Sequence, residues 1–385
     1  MSRDFFPRGQ TAIVGAATFG LGEAHGFTAT ELAVNASIAA LARAGLRPSD
    51  VDGLFGCISD DMLSSLAMAD YLGIQPNLSD NTRVGGSSFL LHVSMAALAL
   101  NAGQCDVALI YYGSNQRTAS GKLVSVMRNS IYESAYKPVM PIAAYALAAA
   151  RHMHQFGTTR EQLGAVAVAA RQWAQLNPDA FMREPLTLEA YLAARIVASP
   201  LTVRDCCLVT DGAGAIVMTR AERAPDHAAR PAYVLAAAAE ISHREIAQMP
   251  DLTVTAARET GKRAYAQSGY GPADIDVVQL YDAFTINTIL FLEDLGFCPK
   301  GEGGRFVAEG NIAPGGKLPV NTNGGGLSCT HPGMYGLFTL IEATEQIMGN
   351  AGARQRPSVE LALAHGNGAV LSSQATVILG SADTL

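Results

Sequence analysis

Charge is scarce in this chain: Asp, Glu, Lys and Arg make up 16% of 385 residues, the formal net charge is −7, and no run of Lys or Arg occurs. A polyanion-binding surface needs a basic stripe, so no nucleic-acid partner is expected. Long apolar runs are missing too. No segment offers the roughly eighteen uninterrupted apolar residues of a membrane span. Met1 to Gln10 carries Arg3 and Arg8 with no apolar stretch behind them, so the chain reads as cytoplasmic. The six cysteines, Cys57, Cys105, Cys206, Cys207, Cys298 and Cys329, contain no CxxC pair, which argues against a zinc site and against a disulfide framework. They are expected to be mostly small buried hydrophobes.

What the chain has is apolar mass. Hydrophobic residues make up 49%, with 38 glycines, and the length suits two domains or one duplicated α/β body. An internal echo favours duplication: Gly45-Leu-Arg-Pro-Ser-Asp-Val-Asp52 matches Gly269-Tyr-Gly-Pro-Ala-Asp-Ile-Asp276, each after an Ala-rich helical stretch and before a strand-like segment. In the first half we read strands at Thr11–Ala17, Gly53–Gly56 and Cys105–Tyr112, with helices at Thr30–Ala44 and Gly86–Ala102. In the second, strands fall at Ala232–Ala238, Ile275–Tyr281, Val359–Ala364 and Gln374–Leu379, and helices at Thr253–Ser268, Thr285–Leu295 and Met334–Gly349. Residues 1–116 with 199–222 form the first half, and 231–385 the second. Residues 117–198 form an inserted region with helical runs at Ala143–Gln155 and Arg160–Gln175; it reads as a wall of a substrate tunnel or as a dimerisation or cap element.

Four motifs carry chemistry. Asn321 to Gly336 holds five glycines and delivers His331 to the mouth of an apolar helix. Tyr281-Asp-Ala-Phe-Thr285 closes a strand, Ser199 to Ala215 precedes the second half, and His365-Gly-Asn-Gly368 reads as a glycine-rich turn. In this order the four resemble the motifs of thiolases of the sterol-carrier-protein type, which have an Asn-Glu-Ala-Phe or His-Asp-Cys-Phe segment where Tyr281 stands, a Gly-His-Pro loop where His331 stands, and a last glycine-rich active-site turn. The resemblance implies a thiolase fold, a duplicated five-layered α/β/α/β/α body. It also implies a homodimer, a coenzyme A thioester as substrate with no bound cofactor, and often a small partner protein with a zinc ribbon and an oligonucleotide-binding-like fold.

The family's nucleophilic cysteine is missing. The matching segment, Asn81-Thr-Arg-Val-Gly-Gly-Ser-Ser-Phe89, places Val84 or Arg83 at its position, depending on a one-residue choice of gap. Ser87 or Ser88 is a substitute nucleophile or a helix-capping residue, and an unassisted hydroxyl is poor chemistry. Cys329 is a second substitute or a structural thiol. The chain therefore resembles the cysteine-free aldolases that shorten steroid side chains, whose retro-aldol step needs a base and enolate donors but no covalent relay. In that group a tyrosine matches Tyr281, and a second tyrosine stands where this chain has His331.

The catalytic candidates are Tyr281, His331 and His365, the last either a base beside His331 or a packed core histidine. The substrate-binding candidates are Val84, Gly86, Ser87, Cys329, Tyr335 and Gly368. Asp282 is expected to cap the helix that follows it. His152 and His154 lie on different helix faces and share no metal, and Gly212-Ala-Gly214 lacks the context of a dinucleotide site. Three functions remain open: a carbon–carbon lyase, an acyltransferase with an unusual nucleophile, and a non-catalytic acyl-CoA or lipid-binding subunit.

Overall fold

The computed structural model describes residues 5–120 and 131–385. Its strands are β1 (Thr11–Gly22), β2 (Gly53–Gly56), β3 (Leu78–Asp80), β4 (Val107–Ser114), β5 (Ile196–Ala198), β6 (Leu201–Thr202), β7 (Asp211–Arg220), β8 (Ala232–Ile241), β9 (Val277–Leu280), β10 (Leu361–Gly368) and β11 (Ser373–Gly380). Nine form one sheet in the order β3-β2-β4-β7-β1-β8-β11-β10-β9, while β5 and β6 pair separately. The halves join where β1 meets β8 through Ala12 opposite Tyr233 and Ile13 opposite Ala232.

Duplication is visible in the strand directions. In the first half β2 and β4 are parallel, β4 and β7 antiparallel, and β7 and β1 antiparallel. In the second, β9 and β10 are parallel, β10 and β11 antiparallel, and β11 and β8 antiparallel. The sequence echo is an echo of hydrogen bonds. Pro48–Asp50 and Pro272–Asp274 are single 3-10 turns, closed by Asp50 and Asp274, whose Oδ2 atoms each accept a backbone N–H, from Arg47 and Gly271, at 2.8 Å. Two residues on, Asp52 accepts the N–H groups of Asp106 and Val107, and Asp276 those of Glu360 and Leu361. Each carboxylate thus pins the entry of the neighbouring strand.

Helices Ser88–Asn101 and Gly336–Met348 each pack against strands of both halves, Ala29–Arg43 covers β1, β4 and β7, and Ala257–Ser268 covers β8 and β11. This is the layered α/β/α/β/α arrangement. The inserted region contributes helices Ile142–Phe156 and Arg160–Gln175, the second opened by a Thr159–Gln162 capping box. No helix among the described residues is long and apolar enough to cross a membrane.

Two readings need correction. β7, buried from Asp211 to Thr219, lies between β4 and β1 and has no counterpart in the sequence reading. Both its faces are covered, so its residues do not alternate apolar and polar. Residues His365–Gly368 are the C-terminal half of β10, paired residue by residue with β11, and not a turn.

Candidate active site

The second half brings Tyr281 and His331 together. Tyr281 follows β9, its N–H bonded to the His365 carbonyl at 3.0 Å. The loop carrying His331 takes left-handed conformations at Asn321, Gly324, Gly325 and Gly333, which lets it fold back on the strand end. Gly326 and Leu327 donate to the Asp282 carboxylate at 2.6 and 3.3 Å. Asp282 therefore caps the short helix Gly325–Ser328 of the opposing loop, and the helix that follows it, Thr285–Asp294, has no side-chain cap. Burial raises the Asp282 carboxyl to about 7.

His331 is clamped on both sides of its backbone. Its N–H donates to Thr210 Oγ1 at 2.9 Å and its carbonyl accepts from Gln116 Nε2 at 2.8 Å. Beyond it, Tyr112 donates to the Pro332 carbonyl and accepts from the Met334 N–H. The ring Nε2 then sits 3.1 Å from the Tyr281 hydroxyl, which also lies 3.4 Å from the Gly333 carbonyl. Burial lowers the His331 pKa to about 4 and pushes that of Tyr281 well above its ordinary value, so both are neutral at pH 7. Tyr335 stacks on His331 at an interplanar angle of 16° and meets Tyr281 edge-on, its hydroxyl bonded to Asn323. It braces the pair from behind.

Tyr281 and His331 face a cavity of about 420 Å³. Val139, Met140, Pro141, Ile142 and Tyr145 of the inserted region form one wall, Tyr145 stacking on Phe284 at 4.3 Å. The first half contributes Arg83, Gly85 and Gly86. A Cβ on Gly86 would stand 2.0 Å from Tyr281 Cε2. The contact continues as a seam of main chain between the halves, because a Cβ on Gly336 would lie 1.9 Å from the Gly86 carbonyl and one on Gly368 1.9 Å from the Val84 carbonyl.

Of the nine candidates, only Tyr281, His331 and Gly86 line this cavity. Val84 and Gly368 belong to the seam, and the Val84 N–H goes to Ser88 Oγ. Ser87 is buried and donates to Ser373 at 2.8 Å, with no histidine partner. Cys329 turns away into a second cavity beside Asn177 and Arg354, and burial raises its pKa. His365 is not brought to His331. It is fully buried on β10, one ring nitrogen on Thr376 and the other on Gln374, with Phe291 against its ring. Cys206 and Cys207 do line the cavity, yet burial raises both thiols, Cys206 to about 12. A thiolate nucleophile needs the opposite shift.

Sequence reasoning singled out neither Tyr145 nor Asn367, while the wall at Val139–Ile142 lies in the inserted region that it read as a tunnel wall or as a dimerisation or cap element. Asn367 was open to detection, lying two residues from His365 and hence on the same face of a strand.

The family model for a thiolase C-terminal domain-like region matches residues 238–381. Over 89% of this chain and 92% of its own, the 17-hydroxy-3-oxo-4-pregnene-20-carboxyl-CoA lyase of Mycobacterium tuberculosis is 36% identical. The chain belongs to the thiolase superfamily. An acetyl-CoA acetyltransferase of Methanothermobacter thermautotrophicus, another similar protein, is 33% identical over 93% of this chain and 96% of its own. Among solved structures, the Ltp2-ChsH2(DUF35) aldolase superposes with a TM-score of 0.87 at 33% identity, covering 97% of this chain and 98% of the other. Within this thiolase fold, the tyrosine–histidine pair lines a cavity whose two thiols, Cys206 and Cys207, are shifted away from the thiolate.

Proposed function

We propose that the chain is an acyl-CoA carbon–carbon lyase that splits a β-hydroxyacyl-CoA into a ketone or aldehyde and a shorter acyl-CoA. The observation that carries this reading is the neutral Tyr281–His331 pair facing the cavity. The substrate's β-hydroxyl gives its proton to the Tyr281 oxygen as Tyr281 passes its own to His331 Nε2. The electrons of the α–β carbon bond move into the thioester, forming an enolate, and the β-oxygen becomes a carbonyl. The proton on His331 then returns through Tyr281 to the α-carbon, so the hydroxyl proton is transferred and no co-reactant is consumed. Burial, which weakens His331 as a base, makes its imidazolium a ready donor for that return.

The apolar wall and the roughly 420 Å³ volume suit a bulky acyl group. The lyase relative, named for a steroid carboxyl-CoA, supports a steroid-like thioester. A partner protein is supported by the aldolase neighbour, whose name joins two components, and the family resemblance makes it a small zinc-ribbon protein. A homodimer is supported by the sheet edge at β3 together with the exposed apolar residues Met62, Leu63 and Leu66, whose segment is tied to the end of β3 by the bond from Ser65 to Asn81. The acetyltransferase relative favours acyl transfer as a second reading. The deciding assay incubates purified protein, alone and with a co-expressed partner, with β-hydroxyacyl-CoAs. Release of a carbonyl compound with a shorter acyl-CoA is expected; acyl exchange between CoA esters without carbonyl release overturns the lyase reading.

A further inference from the structure

The cavity has a second polar feature, away from Tyr281 and His331. Asn367, 2% exposed, lines it from β10. Its side chain belongs to a row of short contacts: Tyr145 Oη to the Ala369 carbonyl, Asn367 Nδ2 to Tyr145 Oη, Gln374 Nε2 to Asn367 Oδ1 and Gln374 Oε1 to His365 Nε2, each at 2.8 Å. A carbonyl only accepts, so Tyr145 donates its single hydroxyl proton to Ala369. Asn367 must then donate to Tyr145, which turns its oxygen towards Gln374. Gln374 donates to that oxygen and presents its own to His365, which carries its proton on Nε2 and accepts at Nδ1 from Thr376, 2.9 Å away. One carbonyl thus sets the direction of the whole row.

With Oδ1 held by Gln374 and one N–H given to Tyr145, Asn367 has a second N–H with no partner among the described residues. Its backbone is close to the reacting pair: from the point where a Cβ on Gly86 would stand, Tyr281 Cε2 is 2.0 Å away and the main-chain carbonyl of Asn367 2.8 Å. Retro-aldol cleavage puts negative charge on the thioester oxygen, and Tyr281 with His331 is already engaged by the β-hydroxyl.

We propose that Asn367 is a catalytic donor, its free amide N–H holding the thioester oxygen as the enolate forms, and that Gln374 and His365 are positioning residues which keep the amide from turning over. The assignment deepens the lyase reading and rests on it only for the identity of the bond that breaks; an enolate donor acts equally in α-proton exchange.

The test therefore measures two reactions. Wild type, Asn367→Asp, Asn367→Ala and Gln374→Met are compared in cleavage of a β-hydroxyacyl-CoA and in deuterium incorporation from D2O at the α-carbon of propionyl-CoA. Calorimetric titration of propionyl-CoA measures binding. Asn367→Asp keeps the volume and the acceptor for Gln374 but cannot donate, so both rates fall about 100-fold, the scale of a lost oxyanion donor. Propionyl-CoA affinity changes less than threefold. Gln374→Met frees the amide to turn, and both rates fall about tenfold with binding intact, whereas a purely structural role for Gln374 would lower stability and leave the rate per folded molecule unchanged. Exchange at the wild-type rate in both Asn367 variants overturns the proposal. Exchange that depends on Asn367, without cleavage of any β-hydroxyacyl-CoA, overturns the lyase reading alone. Absence of both reactions in wild type overturns both.

Discussion

Adding one methyl group at Gly86 tests whether the position of Tyr281, rather than its mere presence, governs the reaction. The new Cβ would stand 2.0 Å from Tyr281 Cε2, 2.7 Å from Cζ and 2.8 Å from the Asn367 carbonyl. Carbon atoms in contact settle at about 3.5–4.0 Å, so the ring must retreat by roughly 1.5 Å. His331 and Tyr335 meet it edge-on at centroid distances of 5.5 and 5.7 Å, so the ring gives way into the cavity that it lines. The 3.1 Å bond to His331 does not survive such a shift. Overpacking of this kind costs about 1–3 kcal/mol, and a misplacement of about 1 Å in a catalytic group costs about 100-fold in rate. We expect Gly86→Ala to lower kcat/KM about 100-fold and to lower stability in a urea titration by about 1–3 kcal/mol. Combining it with Tyr281→Ala removes the obstructing ring, so the two stability losses add to less than their sum by about 1 kcal/mol or more. Near-wild-type activity in Gly86→Ala, or strictly additive losses in the double variant, refutes the reasoning.

Tyr281→Phe keeps the ring and removes the proton carrier; kcat/KM for carbonyl release should fall at least about 100-fold with little change in stability, measured by product release and urea unfolding. Because burial holds His331 near 4, acid should abolish kcat with an apparent pKa of about 4, and an acid limb near 6.5 would show the ring to be solvated. Cys329→Ser and Ser87→Ala should each cleave substrate within about threefold of wild type, since neither side chain lines the cavity. Intact mass after incubation with substrate should show no acyl adduct, and one at Cys206, Cys207 or Cys329 would favour acyl transfer instead.

The layered fold was legible because its helices are long and apolar and because the Pro-x-Asp turns recur at equivalent places in both halves. β7 was hidden by its own composition. Gly214 must be small, since a Cβ there would lie 2.6 Å from Ile341 of helix Gly336–Met348, and a strand buried on both faces shows no alternation. The Tyr281–His331 pair was readable from its two motifs, but His365 was not. Reading Gly366 and Gly368 as signs of a turn placed the ring in the open, whereas these glycines let the first-half backbone approach: a Cβ on Gly366 would meet Leu90 Cδ1 at 2.7 Å and Ser87 Cα at 3.0 Å. Asn367 and Tyr145 were missed because their importance lies in each other, 222 positions apart in sequence.

The glycine seam at Gly86, Gly336 and Gly368 implies a division of labour between two once-equivalent halves. In the proposed reaction the second half supplies the groups that move protons. The first, without the cysteine that its counterpart in related enzymes would use, acts as a mould whose main-chain surface sets where Tyr281 stands. Changes in the mould are therefore expected to move rates while leaving pH profiles in place, and changes in the second half to move both. A gene duplication whose copies began with the same shape has ended with one copy holding the chemistry and the other holding the tolerance to which that chemistry is built.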